Sequence, residues 1–373
     1  MNYNTAPILI TGGTGFIGSY LAKHLLQQGE RVVLFDRNPD PLVREGVSGP
    51  RRVAGFFAPA EFEQIKKEGR LTFVQGDLTL LPHVLTVFDQ FEPKSVYHLG
   101  ALLSAGAEAN PTQGFQVDLV GTWHVLEAAR LYREYKQGTQ PVKVIFPSTI
   151  ASFGDFIAPG AKVPNEAVQW PTTIYGASKV AAERLGDYYS RIPREWVDFR
   201  AVRFPSVVGA ARGGGGTTAY STLMIQEPLR KRNYVAYVGA DTRLDILYVK
   251  DAIKALTLVH DAEPASLIAD VDGVKVTRRV YNIAGIRSAG QAATAAEIQA
   301  AVKAVKPDAG QITFEPNPGL VNIVHTFGIL DDTVARQQLE WKGDYLDLHA
   351  AIADFQQEVK AYPDRIQAIE LAG

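Results

Sequence analysis

Tyr175 and Lys179 stand four residues apart at the head of an amphipathic run, Lys179 to Tyr189. On a helix that spacing puts both side chains on one face. A tyrosine with an ordinary pKa of about 10 is a poor base at neutral pH, but a nearby ammonium favours its phenolate. The pair therefore suits proton transfer, with Tyr175 as acid/base and Lys179 as its electrostatic partner. A hydroxyl that holds the reacting oxygen beside the phenol would complete such a site. Thr149 is the candidate, because Pro147-Ser148-Thr149 follows the apolar run Val142 to Phe146, and strand ends are where open parallel sheets present ligand chemistry.

What this proton transfer would accompany is indicated at the other end of the chain. Ile8-Leu9-Ile10 feeds directly into Thr11-Gly12-Gly13-Thr14-Gly15-Phe16-Ile17-Gly18, and the helical pattern Tyr20 to Gln28 follows. Strand, glycine turn and helix form the context of a dinucleotide fingerprint. Gly12 allows the tight turn, Gly15 lets backbone approach a pyrophosphate, and Gly18 permits close helix-to-strand packing. Thr14, Phe16 and Ile17 lie on the same turn, where unpaired N–H groups meet phosphate. Asp36 ends the next apolar strand, 18 residues after Gly18, where it can accept from ribose hydroxyls and repel a 2′-phosphate. NAD is thus favoured over NADP, with Arg37 beside Asp36 as the complication. Asp77 and Leu78 end a further strand, and the Asp77 carboxylate can face the adenine amino group. A bound nicotinamide cation would also favour the Tyr175 phenolate.

The elements that must position these groups alternate from Pro7 to about Val208. Short apolar runs at Ile8 to Thr11, Val32 to Asp36, Leu71 to Gln75, Ser95 to Leu99, Val142 to Pro147 and Val197 to Phe204 are separated by longer amphipathic stretches. That pattern predicts βαβ units and a doubly wound, Rossmann-like parallel sheet of the α/β class. The expected division is a dinucleotide-binding domain over 1–205 and a smaller C-terminal substrate-binding lobe over 206–373. Asn38 to Gly69, rich in Pro, Gly and Arg, reads as a surface excursion with a short helix at Glu61 to Lys67. The strand-helix pair Val235 to Val259 is expected to return to the sheet. Asp272-Gly273 reads as a turn between strands Leu267 to Val271 and Val274 to Val280. Thr294 and Glu297 offer a capping box, and Ala350 to Tyr362 a closing helix.

Composition narrows the partners. With 373 residues, 46% hydrophobic, 21% charged and a formal net charge of −2, the chain is an ordinary globular one. It gives no electrostatic case for nucleic acid or an anionic membrane, so a small-molecule substrate is expected. No apolar run approaches the roughly 20 residues that cross a bilayer. Cysteine is absent, which fits a reducing cytoplasm, the expected location. The seven histidines show no ligand spacing, so no bound metal is expected. A homodimer is the expected assembly.

Taken together, these motifs resemble the extended short-chain dehydrogenase/reductase superfamily over nearly the whole chain. The resemblance implies catalytic roles for Thr149, with Ser148 as the neighbouring option, and for Tyr175 and Lys179, which also contact the cofactor. It makes His98-Leu99-Gly100-Ala101 the strand-end turn that lines the cofactor. Asp118 stands where the superfamily usually has Asn. Several stretches are similar to short-chain-type, NAD-dependent L-threonine dehydrogenases: Ala101-Leu102-Leu103-Ser104, Glu108-Ala109-Asn110-Pro111, Gly214-Gly215-Gly216-Thr217-Thr218 and Asp331-Asp332-Thr333. By that likeness Ser104, Thr217 and Thr218 contact substrate. The implied activity is oxidation of a secondary hydroxyl on a small, carboxylate-bearing substrate such as a β-hydroxy amino acid or a hydroxy acid. The alternatives are a sugar or nucleotide-sugar epimerase and a non-catalytic dinucleotide sensor. Departures gather in the substrate half: Phe204-Pro205-Ser206 replaces Tyr-Pro-Gly, Ala219 replaces Asp, and Thr326-Phe327-Gly328 replaces Ser-Trp-Pro. Epimerases also carry an Asn after Arg-Tyr-Phe, which Arg203-Phe204-Pro205-Ser206 lacks.

Overall fold

The computed structural model describes residues 6–37, 51–136, 140–158, 160–191, 195–214, 216–271, 273–288, 290–325, 327–363 and 365–366. Pro39 to Pro50 of the excursion, Gly215 of the glycine run, Asp272 and Thr326 lie outside them.

Seven parallel strands form the central sheet, in the order Val280–Asn282, Val197–Phe204, Val142–Thr149, Ser95–His98, Ile8–Thr11, Val32–Asp36 and Leu71–Gln75. Ile8–Thr11 and Ser95–His98 are buried throughout, which is why neither shows the in-out alternation of a half-exposed strand. Ile8 and Ile10 point into one core cluster with Leu21 and Leu25, while Leu9 joins the opposite cluster with Val125 and Phe199. The chain winds outward in both directions from Ile8–Thr11 and Ser95–His98. Ligands of such sheets bind at that switch point, outside the carboxyl ends of the strands.

The pair expected to return to the sheet does so only in part. Ile246–Tyr248 pairs with Ser206–Val208 in a separate two-stranded ladder, and only the helix Val249–Asp261 packs back on the sheet, against Val197–Phe204. Pro205 explains the break, since it offers no N–H where the Val197–Phe204 strand would run on into Ser206–Val208. The seventh strand is instead Val280–Asn282, whose first residue the sequence pattern assigns to the end of a hairpin strand. The hairpin itself is shorter, Ile268–Val271 against Val274–Thr277, with Gly273 at φ +81° in its turn. The capping box at Thr294 and Glu297 forms, and the closing helix runs Leu348–Ala361. Among the described residues no helix is long and apolar enough to cross a membrane.

Candidate active site

The cradle begins at Gly12, whose φ is +65° and whose missing side chain is required. A Cβ there would lie 2.7 Å from the backbone of Gly100, so the ends of the strands Ile8–Thr11 and Ser95–His98 approach as only glycine permits. Helix Phe16–Gln27 starts at Gly15 with no side chain capping its first turn and no acid within it. Its unpaired amides and positive end face a cavity of about 570 Å³ lined by Thr14, Gly15, Phe16, Ile17 and Gly18. That volume is typical of cofactor and substrate sites.

Asp36 ends its strand on the same cavity, where its Oδ2 accepts from the Thr14 amide (3.2 Å) and hydroxyl (2.7 Å). Arg37 and Arg52 line the wall beside it. Arg52 comes from the excursion and donates to the Thr14 carbonyl at 3.4 Å, a contact the sequence reading missed. Asp77 and Leu78 also line the cavity, with Asp77 Oδ1 closing a turn on the Thr79 amide and hydroxyl, both at 2.8 Å. Leu99, Gly100 and Ala101 line the same cavity. A fully buried neutral imidazole, His98, pins this floor between the hydroxyls of Thr11 (2.7 Å) and Thr122 (2.9 Å).

Helix Ile174–Tyr189 carries the acid/base pair. Thr173 caps it by accepting from the Gly176 amide at 3.0 Å. Gly176 lets the helix press on the strand end, because a Cβ there would sit 2.1 Å from the Ala151 carbonyl. This contact brings Tyr175 and Thr149 onto the wall of the same cavity, and the Thr149 hydroxyl acts to lower the Tyr175 pKa. Lys179 is buried, donates to the Pro147 carbonyl at 3.0 Å, and its Nζ lies 5.5 Å from the centre of the Tyr175 ring. Burial pushes Lys179 down to about 8, against the supporting charges of Asp118 and Glu183. Burial likewise raises Tyr175 well above the ordinary phenol range; the Asp118 carboxylate adds to the rise, and the Arg212 guanidinium and Thr149 oppose it. Arg212 was not among the residues singled out from sequence.

Asp118 occupies a π-helical stretch, Phe115–Val120. It is 2% exposed, its Oδ1 accepts from the Leu102 amide at 2.6 Å, and its Oδ2 has no partner among the described residues. Burial therefore pushes its carboxyl up to about 6.

Of the substrate candidates, Ser104 and Thr217 meet across the cleft, hydroxyl to hydroxyl at 3.3 Å. Thr218 accepts from Ser206 at 2.8 Å. All of them line the cavity, together with Phe327, Ile323 and Leu244. Ser148 also lines it, but its hydroxyl donates to the buried Glu183 carboxylate, which leaves the Thr149 hydroxyl as the freer of the two on the cavity wall.

The geometry agrees with what the chain is similar to. The model of the NAD-dependent epimerase/dehydratase family matches residues 8–284. An uncharacterized epimerase/dehydratase of Staphylococcus haemolyticus is 35% identical over 211 residues, 56% of this chain, and the match spans 60% of that protein's length. Among solved structures, L-threonine dehydrogenase from Phytophthora infestans is 29% identical with a TM-score of 0.76, over 95% of this chain and 99% of that one. The holo form of a GalE-like L-threonine dehydrogenase from Cupriavidus necator is 29% identical with a TM-score of 0.74, over 94% and 99%. The glycine cradle, the uncapped helix start and Asp36 fit the dinucleotide that this family uses. The chain belongs to the NAD-dependent epimerase/dehydratase family, and NAD is its cofactor.

Proposed function

We propose that the chain is a dehydrogenase that oxidises a secondary hydroxyl on a small, polar, carboxylate-bearing substrate. The observation that carries this reading is the meeting of Thr149, Tyr175 and Lys179 with Ser104, Thr217 and Thr218 in one cavity continuous with the glycine cradle. Bound NAD supplies the hydride acceptor. Thr149 orients the substrate hydroxyl toward Tyr175, and Tyr175 Oη takes its proton. Lys179, fixed by the Pro147 carbonyl, holds positive charge beside the ring. Ser104, Thr217 and Thr218 meet the polar end of the substrate, while Phe327, Leu244 and Ile323 keep water from the hydride path. Likeness to threonine dehydrogenases over nearly the whole chain supports oxidation over epimerisation.

Steady NADH formation is expected with some member of a panel of β-hydroxy amino acids and hydroxy acids, with a higher kcat/KM for NAD than for NADP. Asp36 sets that preference by repelling a 2′-phosphate. Interconversion of stereoisomers without net NADH would replace this reading with an epimerase, and preference for NADP would shift the choice of cofactor to Arg37 and Arg52.

Asp118 gives the site a pH signature. Its carboxylate is charged above about pH 6, where it opposes the Tyr175 phenolate and supports the Lys179 ammonium. Asp118→Asn removes both effects, so both groups lose their protons more readily. The acid and alkaline limbs of the kcat/KM profile are each expected to move toward lower pH by about one unit. Limbs that stay in place would show that the carboxylate exerts no field on the pair.

A further inference from the structure

Arg212 lies between the Ser206–Val208 strand and the helix Tyr220–Leu229, and it lines the same cavity as Tyr175. All its hydrogen-bond partners are neutral. Nη1 donates to the Ser206 hydroxyl (3.2 Å), the Val207 carbonyl (2.9 Å) and the Thr222 hydroxyl (3.4 Å), and Nη2 reaches the Thr218 hydroxyl at 3.3 Å. No carboxylate pairs with it among the described residues. The Nε–Nη2 edge therefore carries only the long Thr218 contact, and that edge is the fork that matches a carboxylate. Burial pulls the guanidinium down to about 10, which is the expected response of a cation enclosed without a counter-ion.

The charges around the cavity are sorted by position. Among the described residues its lining carboxylates are Asp36 and Asp77, both at or just beyond strand ends on the side of the glycine cradle. The reacting end presents Lys179, Arg212 and hydroxyls, and the Asp118 carboxylate lies behind the lining. An anion placed there gains a bidentate partner. An ammonium would meet two cations and no acid, which disfavours it strongly.

We propose that Arg212 anchors the substrate's carboxylate and that the substrate carries no ammonium group, so that the enzyme takes short hydroxy acids in preference to hydroxy amino acids. The proposal deepens the dehydrogenase reading and rests on it for the word substrate, but the anchor can be tested without turnover. Butanoate and 2-aminobutanoate lack the hydroxyl and cannot be oxidised at it. Titrated calorimetrically into the NAD-loaded enzyme, butanoate is expected to bind, and 2-aminobutanoate to bind at least about tenfold more weakly. Arg212→Gln should weaken butanoate at least about tenfold while the Kd for NAD stays unchanged, and Arg212→Lys should restore part of the loss.

Equal or tighter binding of 2-aminobutanoate, failure of butanoate to bind, or wild-type butanoate affinity in Arg212→Gln would each overturn the anchor. The comparison of the two probes needs no variant, so a poorly folded Arg212→Gln leaves it decisive. Absence of NADH formation from any hydroxy compound, with the probe preference intact, would instead remove the dehydrogenase reading and leave the anion site standing.

Discussion

Tyr175→Phe is expected to lower kcat at least about 100-fold while leaving the affinity for NAD near its original value. The substitution deletes one oxygen and keeps the ring, so the packing that seats the helix on Ala151 through Gly176 is retained. Phosphate binding resides elsewhere, in the uncapped start of the helix Phe16–Gln27 and the turn at Gly12. What disappears is the phenol oxygen that the proposed mechanism uses as proton acceptor. Steady-state rates together with cofactor titration by fluorescence separate the two effects. Near-normal turnover in this variant would sink the assignment of the base, and lost NAD affinity would mean that the ring holds the cofactor more than the chemistry.

Arg203→Met is expected to have the largest effect on stability, a loss of about 3–5 kcal/mol. Glu183 is fully buried and accepts from Arg203 Nε (2.9 Å) and Nη2 (2.7 Å), from the Ser148 hydroxyl, and from Gln169 at 3.0 Å. Arg203 also donates to the Asn165 carbonyl at 2.7 Å and to Asn282 at 3.2 Å. One guanidinium thus ties the acid/base helix to two sheet strands and a loop. Without it the Glu183 charge remains enclosed and keeps only the exposed Arg184 guanidinium, 3.3 Å away, as a cationic partner. Burial alone would raise the Glu183 pKa, but the Arg203 charge and the hydrogen bonds outweigh it and hold the group below the usual carboxylate range. A depressed folded-state pKa means that this contribution is complete above the unfolded value, about 4.3, and is lost as pH falls through the lower folded one. Chemical denaturation of the variant at neutral pH measures the loss. An unchanged midpoint would show that the cluster relaxes around the missing cation.

The dinucleotide cradle and the pair Tyr175 and Lys179 were legible because backbone geometry and helical spacing restrict which residue types can stand there. Arg212 was not, since an arginine next to a run of glycines looks like a solvated loop charge until the fold encloses it. Arg52 was hidden in the same way, inside an excursion that reads as surface. Asp118 was visible as a departure, but its depth and its unpartnered oxygen depend on how the π-helical stretch is packed. The sequence favours Thr149 over its neighbour Ser148, and the bond from Ser148 to Glu183, which the sequence could not show, occupies the other hydroxyl. The misplaced strand has a comparable origin. Ile246–Tyr248 and Val280–Asn282 are both three-residue strands, and nothing local to either says which neighbour it will pair with.

That last strand bears on how the molecule is made. Val280–Asn282 completes the sheet at the edge of Val197–Phe204, yet more than 70 residues of intervening chain separate them. A nascent chain that has emerged only through residue 205 presents that edge unpaired, with its N–H and C=O groups open to other strands. It also lacks Asn282, one of the groups that Arg203 holds. Each newly made molecule therefore passes through an interval in which the edge of its largest sheet is available for mispairing.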